Sequence, residues 1–335
     1  MPPSLNDVAL ACGVSKMTVS RALRGLPKVS PELAARIRRT AEDLGYELDP
    51  WVSRSMAAAR ISQSNDYRET IAFIWTGRLH YARGELRGAQ DQARDYRFRL
   101  DEFRPVPEGL SGRRMAQILI ARGIRGVILA PNADRAHPHY WLPWKHFGCV
   151  LLGSSLRNHG HLRVQHDHYN AAIQIMQELR HQGYRRPALI CTESFHERTW
   201  RCYGAAIGTY GSGNLAPEDS VYLVRPDHPP AEIAAWHRRR RPDVLLLESG
   251  TMAQRLEAAG LEIPGKVPAL LLSLGGPDRF WAGILQDSQR IGQEAVRALA
   301  WKLQTQELGV TKNPPVLSIP GIFRPGHSLP RPRVT

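Results

Sequence analysis

Apolar positions recur at intervals of three and four through residues 1–46, and from residue 70 they gather into short continuous runs separated by amphipathic stretches. The first pattern predicts helices, the second strands alternating with helices. Leu5, Val8, Ala9 and Cys12 keep i, i+3, i+4, i+7 spacing, and Ser4 with Asp7 three residues later supplies a shortened capping box. Gly13 ends that helix. Ser15 caps a second, Lys16 to Leu23, with Val19 and Leu23 facing inward, and Gly25 with Pro27 closes it. Ser30, Pro31 and Glu32 give a cap, a proline at the first helical position and an acid at the positive helix end. The third helix therefore starts there, buries Leu33, Ile37, Ala41 and Leu44, and stops at Gly45.

Strands are expected at Ile71–Trp75, Phe98–Phe103, Val127–Pro131, Val150–Gly153, Ala188–Cys191, Val221–Val224, Val244–Leu247 and Ala269–Ser273. Helices alternate with them at Gly84–Tyr96, Gly112–Arg122, Tyr169–Gln182, Arg198–Tyr210, Ala231–Arg239, Thr251–Ala259 and Ile291–Gln306. Such alternation specifies a parallel α/β sheet, here too extensive for one small domain. The polar stretch Arg60 to Glu69 reads as a linker.

Composition narrows the classes. With 42% hydrophobic and 23% charged residues, the chain has the balance of a globular protein. Apolar runs such as Val127–Ala130 fall far short of the ~20 residues that cross a bilayer, so no membrane partner is expected. Met1 to Gly13 lacks a basic stretch followed by an apolar core, and Cys12, Cys149, Cys191 and Cys202 stand singly. A cytoplasmic protein with neither a disulfide scaffold nor a zinc site is the expectation. The excess of 45 basic over 31 acidic residues gives a net charge of +14, which favours a polyanionic partner. No nucleophile elbow, phosphate loop, dinucleotide fingerprint or HExxH spacing occurs, so no enzyme, cofactor or metal is expected. Arg238 to Arg241 end a predicted helix, where cations complement the dipole.

The string LNDVALACGVSKMTVSRALRG has helix, glycine turn and helix in the lengths of a helix-turn-helix. With DVA, GVS, TVSR, Val29–Ser30 and the Leu44–Tyr46 LGY, it resembles the head of the lactose-repressor/galactose-repressor (LacI/GalR) family of bacterial transcription factors. The resemblance implies that Lys16 and Met17, after Ser15 at the start of the recognition helix, hold specificity positions, that Thr18 and Ser20 touch phosphates, and that Arg21 reaches a base edge. The chemistry agrees: arginine bonds guanine bidentately, and short hydroxyls suit phosphate oxygens. After Tyr46, the run Asp49 to Ala57 falls where the family carries a hinge helix that wedges a side chain into the minor groove. Alignment puts Ser55 at the usual leucine, with the apolar Met56 beside it.

Glu85-Leu86-Arg87-Gly88, Gly183-Tyr184-Arg185-Arg186 and Gln286-Asp287 with Ile291-Gly292 extend the resemblance to a core like the periplasmic sugar-binding proteins. It implies an all-α helix-turn-helix head (1–48), a hinge helix and linker (49–69), a two-lobed α/β periplasmic-binding-protein-like core (70–327) and a tail (328–335). Three lobe crossovers are expected near Val164–Asp167, Leu285–Arg290 and Ser318–Ile322. Asp167 and Arg201 match effector-gripping positions, while Trp75, Arg78, Tyr81 and Asn132 are cleft candidates only because they fall at strand ends. Two family positions depart: Ser249-Gly250 replaces Asn-Asp, and Leu271 to Leu274 replaces Gly-Phe-Asp-Asp. Both usual carboxylates are absent, which leaves the cleft fewer acceptors for a polyhydroxylated ring, so an effector different from the usual hexose or purine is expected, with a carbohydrate-related compound left open. The implied function is a homodimeric repressor-type regulator binding a pseudo-palindromic double-stranded operator under effector control. A ligand-independent regulator with a vestigial core, and a solute-binding protein with an accessory head, stay open as alternatives.

Overall fold

The computed structural model describes residues 5–23, 29–46, 67, 69–75, 82–104, 112–131, 142–156, 160–210, 219–225, 227–276 and 279–332. Contacts divide the chain into two units, Met1–Arg68 and Glu69–Thr335.

In the first unit the apolar spacing yields α1 (Leu5–Cys12), α2 (Lys16–Leu23) and α3 (Pro31–Asp43). Val8, Ala9, Cys12, Val19, Ala22, Ile37 and Ala41 close a small core, each fully buried aliphatic side chain such as Ile37 contributing roughly 1.5–3 kcal/mol. Gly13 takes φ +63°, which a residue with a Cβ adopts only at a cost, and turns the chain from α1 into α2. Ser30 accepts the Leu33 N–H and so caps α3, as its sequence requires. Arg36 ties α3 to the end of α1 by donating to the Cys12 carbonyl at 3.1 Å.

The second unit holds two six-stranded sheets. In chain order the elements of the first are β1 (Glu69–Ile74), α4 (Arg83–Asp95), β2 (Phe98–Phe103), α5 (Gly112–Ala121), β3 (Gly126–Leu129), β4 (Gly148–Leu152) and β5 (Leu162–His166). The chain then crosses to α6 (His168–Gln182), β6 (Pro187–Thr192), α7 (Glu193–Arg198), α8 (Cys202–Tyr210), β7 (Val221–Val224), α9 (Pro230–Arg240), β8 (Val244–Leu247), α10 (Gly250–Glu257), β9 (Ala269–Leu271) and β10 (Ala282–Leu285). It returns with α11 (Ser288–Gln304) and β11 (Val316–Ile319), and finishes on the second sheet with β12 (Ile322–Arg324). The strand orders are β11-β5-β4-β3-β1-β2 and β12-β10-β9-β8-β6-β7. Every pair is parallel except β10 with β12.

Both faces of each sheet are covered, which is why the strands are apolar on both sides. On β1, Ile71 and Phe73 face the α4–α11 layer while Ala72 and Ile74 face α5. Helices α6 and α8 cover one face of the second sheet, α9 and α10 the other. Helices α4 and α11 touch through glycines: a Cβ on Gly88 would stand 1.8 Å from the Gln289 carbonyl oxygen, and one on Gly292 would stand 1.9 Å from that of Glu85. That approach accounts for Gly88 and Gly292 in the family-like strings.

Three expectations are corrected. The single helix Arg198–Tyr210 is two, α7 and α8, because Thr192 caps an earlier start and Trp200 and Arg201 both turn left-handed at φ 57°. Strands β5, β10, β11 and β12 were not expected. β5 reads Leu-Arg-Val-Gln-His, and three of the four residues of the edge strand β11 are exposed, so neither shows a clean apolar run. Finally, Ser328 and Leu329, expected to begin a tail, are buried. Ser328 Oγ donates to the Ala269 carbonyl at 2.7 Å and accepts the Ala282 N–H at 2.9 Å, joining β9 to β10. The Tyr184 hydroxyl donates to the Pro330 carbonyl.

Candidate nucleic-acid interface and effector cleft

The start of α2 is built by hydroxyls. Ser15 Oγ accepts the Thr18 N–H at 3.2 Å and lies 2.9 Å from Thr18 Oγ1, satisfying donors the first helical turn leaves open. Val19 and Ala22 are buried against the head's core. Lys16 and Met17 are exposed, Met17 to 63%, and Arg21 is half-buried. Ser20 lies on the same helix. Ser55 and Met56 fall outside the described residues.

In the second unit the chain changes sheets after β5, after β10 and between β11 and β12. Because the sheets are parallel, the carboxyl ends of their strands gather at these crossings, where α/β folds place ligands. Asp167 caps α6, its Oδ1 accepting the Asn170 N–H at 2.9 Å, and its own N–H donates to the Ile319 carbonyl at 2.8 Å. Arg201 occupies the left-handed break between α7 and α8, with a side chain 68% exposed. Its Nε donates to Glu197 Oε1 at 2.9 Å, so its pairing is with Glu197 rather than Asp167. Trp75 is 4% exposed and belongs to the first sheet's core. Its indole N–H donates to Glu102 Oε2 at 3.0 Å, and the Arg104 guanidinium sits 5.7 Å from its ring. Among the described residues, Phe73, Glu102 and Arg104 surround its ring. Arg78, Tyr81 and Asn132 fall outside the described residues.

The structure brings further groups to the same strand ends. Glu248, directly after β8, accepts the Thr192 N–H at 2.9 Å and the Thr192 hydroxyl at 2.8 Å, while Ser249 caps α10. A carboxylate thus stands one residue before the Ser249-Gly250 pair that replaced the family's Asn-Asp. Glu248, like Trp75, directly follows a strand, so its place in the sequence pattern already marks it as a cleft candidate.

At the first crossover His166 is buried, and among the described residues neither ring nitrogen makes a hydrogen bond. Its ring meets His168 edge-on at 4.9 Å, and His168 Nδ1 is 3.2 Å from the Tyr203 hydroxyl. Burial holds both imidazoles neutral, lowering His166 to about 4 against the opposing pull of Asp167, and His168 to about 3 with added repulsion from His166 and Arg198. At the second crossover Glu85 is buried, and its Oε2 has no hydrogen-bond partner among the described residues. Burial raises its carboxyl to about 7, against its own backbone N–H and the Ser288 hydroxyl. Among the described residues no three His, Cys, Asp or Glu side chains form a metal-holding group, and no helix is long and apolar enough to cross a membrane.

Residues 4–48 match the model of the family described as bacterial regulatory proteins, lacI family. The chain is 48% identical over 58 residues to the HTH-type transcriptional regulator GntR of Pseudomonas aeruginosa, a stretch that spans 17% of this chain and 17% of that relative. Among solved structures, the transcriptional regulator CelR–cellobiose complex shares the fold with a TM-score of 0.58 at 21% identity, over 96% of this chain and 98% of that one. The lac repressor dimer bound to operator and the anti-inducer ONPF does so with a TM-score of 0.54 at 14% identity, over 98% and 100%. Residues 4–48 thus form a head of the lacI-family type, and the two-sheet body shares its fold with such regulators along nearly its whole length.

Proposed function

We propose that the protein is a cytoplasmic, homodimeric transcriptional regulator that binds a pseudo-palindromic double-stranded operator through its head and answers a small-molecule effector held between its two sheets. The observation that carries this reading is the joining of a lacI-type head to a two-sheet body in one chain. The net charge of +14 suits a phosphate backbone. Arg21 would reach a guanine edge, Thr18 and Ser20 phosphates, and Met56 the minor groove as wedge, an apolar side chain being better able than Ser55 to unstack a base step. No catalytic step is assigned to any residue.

For the effector, Asp167, Glu248 and Thr192 at strand ends and Arg201 at the break between α7 and α8 offer charged and hydroxyl groups. Glu248 supplies an acceptor that the replaced Asn-Asp pair withdrew, and CelR has been solved with cellobiose; sugars are therefore the first class to test. A ligand bridging the sheets changes the angle between them, and such coupling to operator affinity is typically worth ~1–3 kcal/mol.

Footprinting after selection from a random duplex pool tests the head, and a thermal-shift screen with sugars, sugar acids and nucleosides tests the body, since a ligand of the folded state raises its melting temperature. A symmetric protected site and a shift that alters operator affinity support the reading. A symmetric site with no shift from any compound favours the ligand-independent regulator. A shift with no DNA site favours the solute-binding protein.

A further inference from the structure

Ser15 caps the first turn of α2, its Oγ accepting the Thr18 N–H and lying 2.9 Å from Thr18 Oγ1, and the short hydroxyls here suit phosphate rather than base edges. Val19 and Ala22 are spent on the head's core. What this turn holds out is Lys16 and Met17. Met17 is 63% exposed, yet it lies on a helix whose other described apolar side chains are buried or half-buried. An uncovered methionine contributes nothing to the core, and it has no strong donor or acceptor.

Major-groove base edges carry donors, acceptors and one apolar feature, the C5-methyl group of thymine. A lysine can read only acceptors, chiefly O6 and N7 of guanine. We infer that Met17 reads a pyrimidine C5-methyl in each operator half-site and that Lys16 reads a purine acceptor edge beside it. This rests on the DNA-binding reading above and specifies what that head selects. The methyl belongs to thymine or to 5-methylcytosine, because the thioether chain senses the methyl and not the Watson–Crick identity beneath it. Cytosine methylation at that position therefore leaves the site readable.

The full-length protein is used to enrich duplexes from a random pool, and the enriched duplex is titrated at one fixed salt concentration with each thymine replaced in turn by deoxyuridine. At one thymine per half-site the loss of the methyl weakens wild-type binding about fourfold, the value of one buried carbon group, and about sixteenfold when both half-sites are changed. The Met17→Ala protein is insensitive to the same replacement, while Met17→Leu, which keeps an apolar contact, stays sensitive. Replacing that thymine by cytosine weakens binding, and 5-methylcytosine restores part of it. A symmetric enriched duplex in which no deoxyuridine affects wild type, or in which Met17→Ala is equally sensitive, overturns the inference and leaves the DNA-binding reading standing. A pool that yields no enriched duplex removes both.

Discussion

Asp167 and Asp287 hold equivalent places at two crossings between the sheets. Each follows a strand of one sheet and caps a helix packed on the other, with φ, ψ of −80°, 82° and −87°, 71°. Asp167 Oδ1 accepts the Asn170 N–H at 2.9 Å, and Asp287 Oδ1 accepts the Arg290 N–H at 3.0 Å. The same device starts α6 and α11, so the aspartate matched to an effector position serves the crossing between the sheets first.

Removing either cap tests that role. Asp167→Ala and Asp287→Ala should each cost about 1 kcal/mol in urea unfolding, with Asn in place of Asp retaining most of the stability. Equal losses identify the shared cap. A loss of effector binding confined to the Asp167 variants would add a ligand contact to it.

The buried groups at the two crossings give stability opposite pH dependences. His166 and His168 have lowered pKa values, so their contribution is complete above about 6.5 and is lost as pH falls toward 4 and 3. Glu85 is raised, so its contribution is complete below about 4.5 and is lost as pH rises through 7. Glu85→Gln should therefore gain roughly 1–3 kcal/mol on wild type at pH 8 and nothing at pH 4. His166→Leu should flatten the acid limb between pH 6.5 and 5. Thermal midpoints across pH 4–8 check both; parallel wild-type and variant curves would contradict the assignment.

The glycine contact between α4 and α11 sets how close these helices lie. A methyl on Gly88 meets backbone, the Gln289 carbonyl, rather than a yielding side chain. Gly88→Ala should destabilise by roughly 1–3 kcal/mol or more, the range for overpacking, and Gly292→Ala should do likewise against Glu85. Gly123→Ala, whose Cβ would meet nothing within 4 Å, reports only the strain of its positive φ.

Glu248 and Arg201 separate two kinds of site residue. Glu248 is held by Thr192 at two points, whereas Arg201 is exposed and bound to Glu197. Glu248→Gln should weaken the thermal shift given by whichever sugar binds, with DNA affinity in the absence of ligand unchanged. Arg201→Ala should do the same. If Glu248→Gln leaves the shift intact while Arg201→Ala removes it, Glu248 serves only to fasten β8 to β6.

Much of this protein is written locally. The spacing of Leu5, Val8, Ala9 and Cys12, the caps at Ser15 and Ser30 and the turn at Gly13 each act within a few residues, so the helical head is legible without any tertiary information. Continuous apolar runs such as Val244–Leu247 announce strands buried on both faces in the same way. Tertiary structure decided the rest, because it rests on contacts between distant segments. β11 and β12 are strands only because β5 and β10 offer edges to them. Ser328 is buried only because Ala269 and Ala282 lie on either side of it. Asp167 and Arg201, both expected in the cleft, bond Asn170 and Glu197, near in sequence, while Glu248 reaches Thr192 across 56 residues. A side chain's identity fixes which bonds it can make; which partner receives them depends on the backbone that folding brings within about 3 Å.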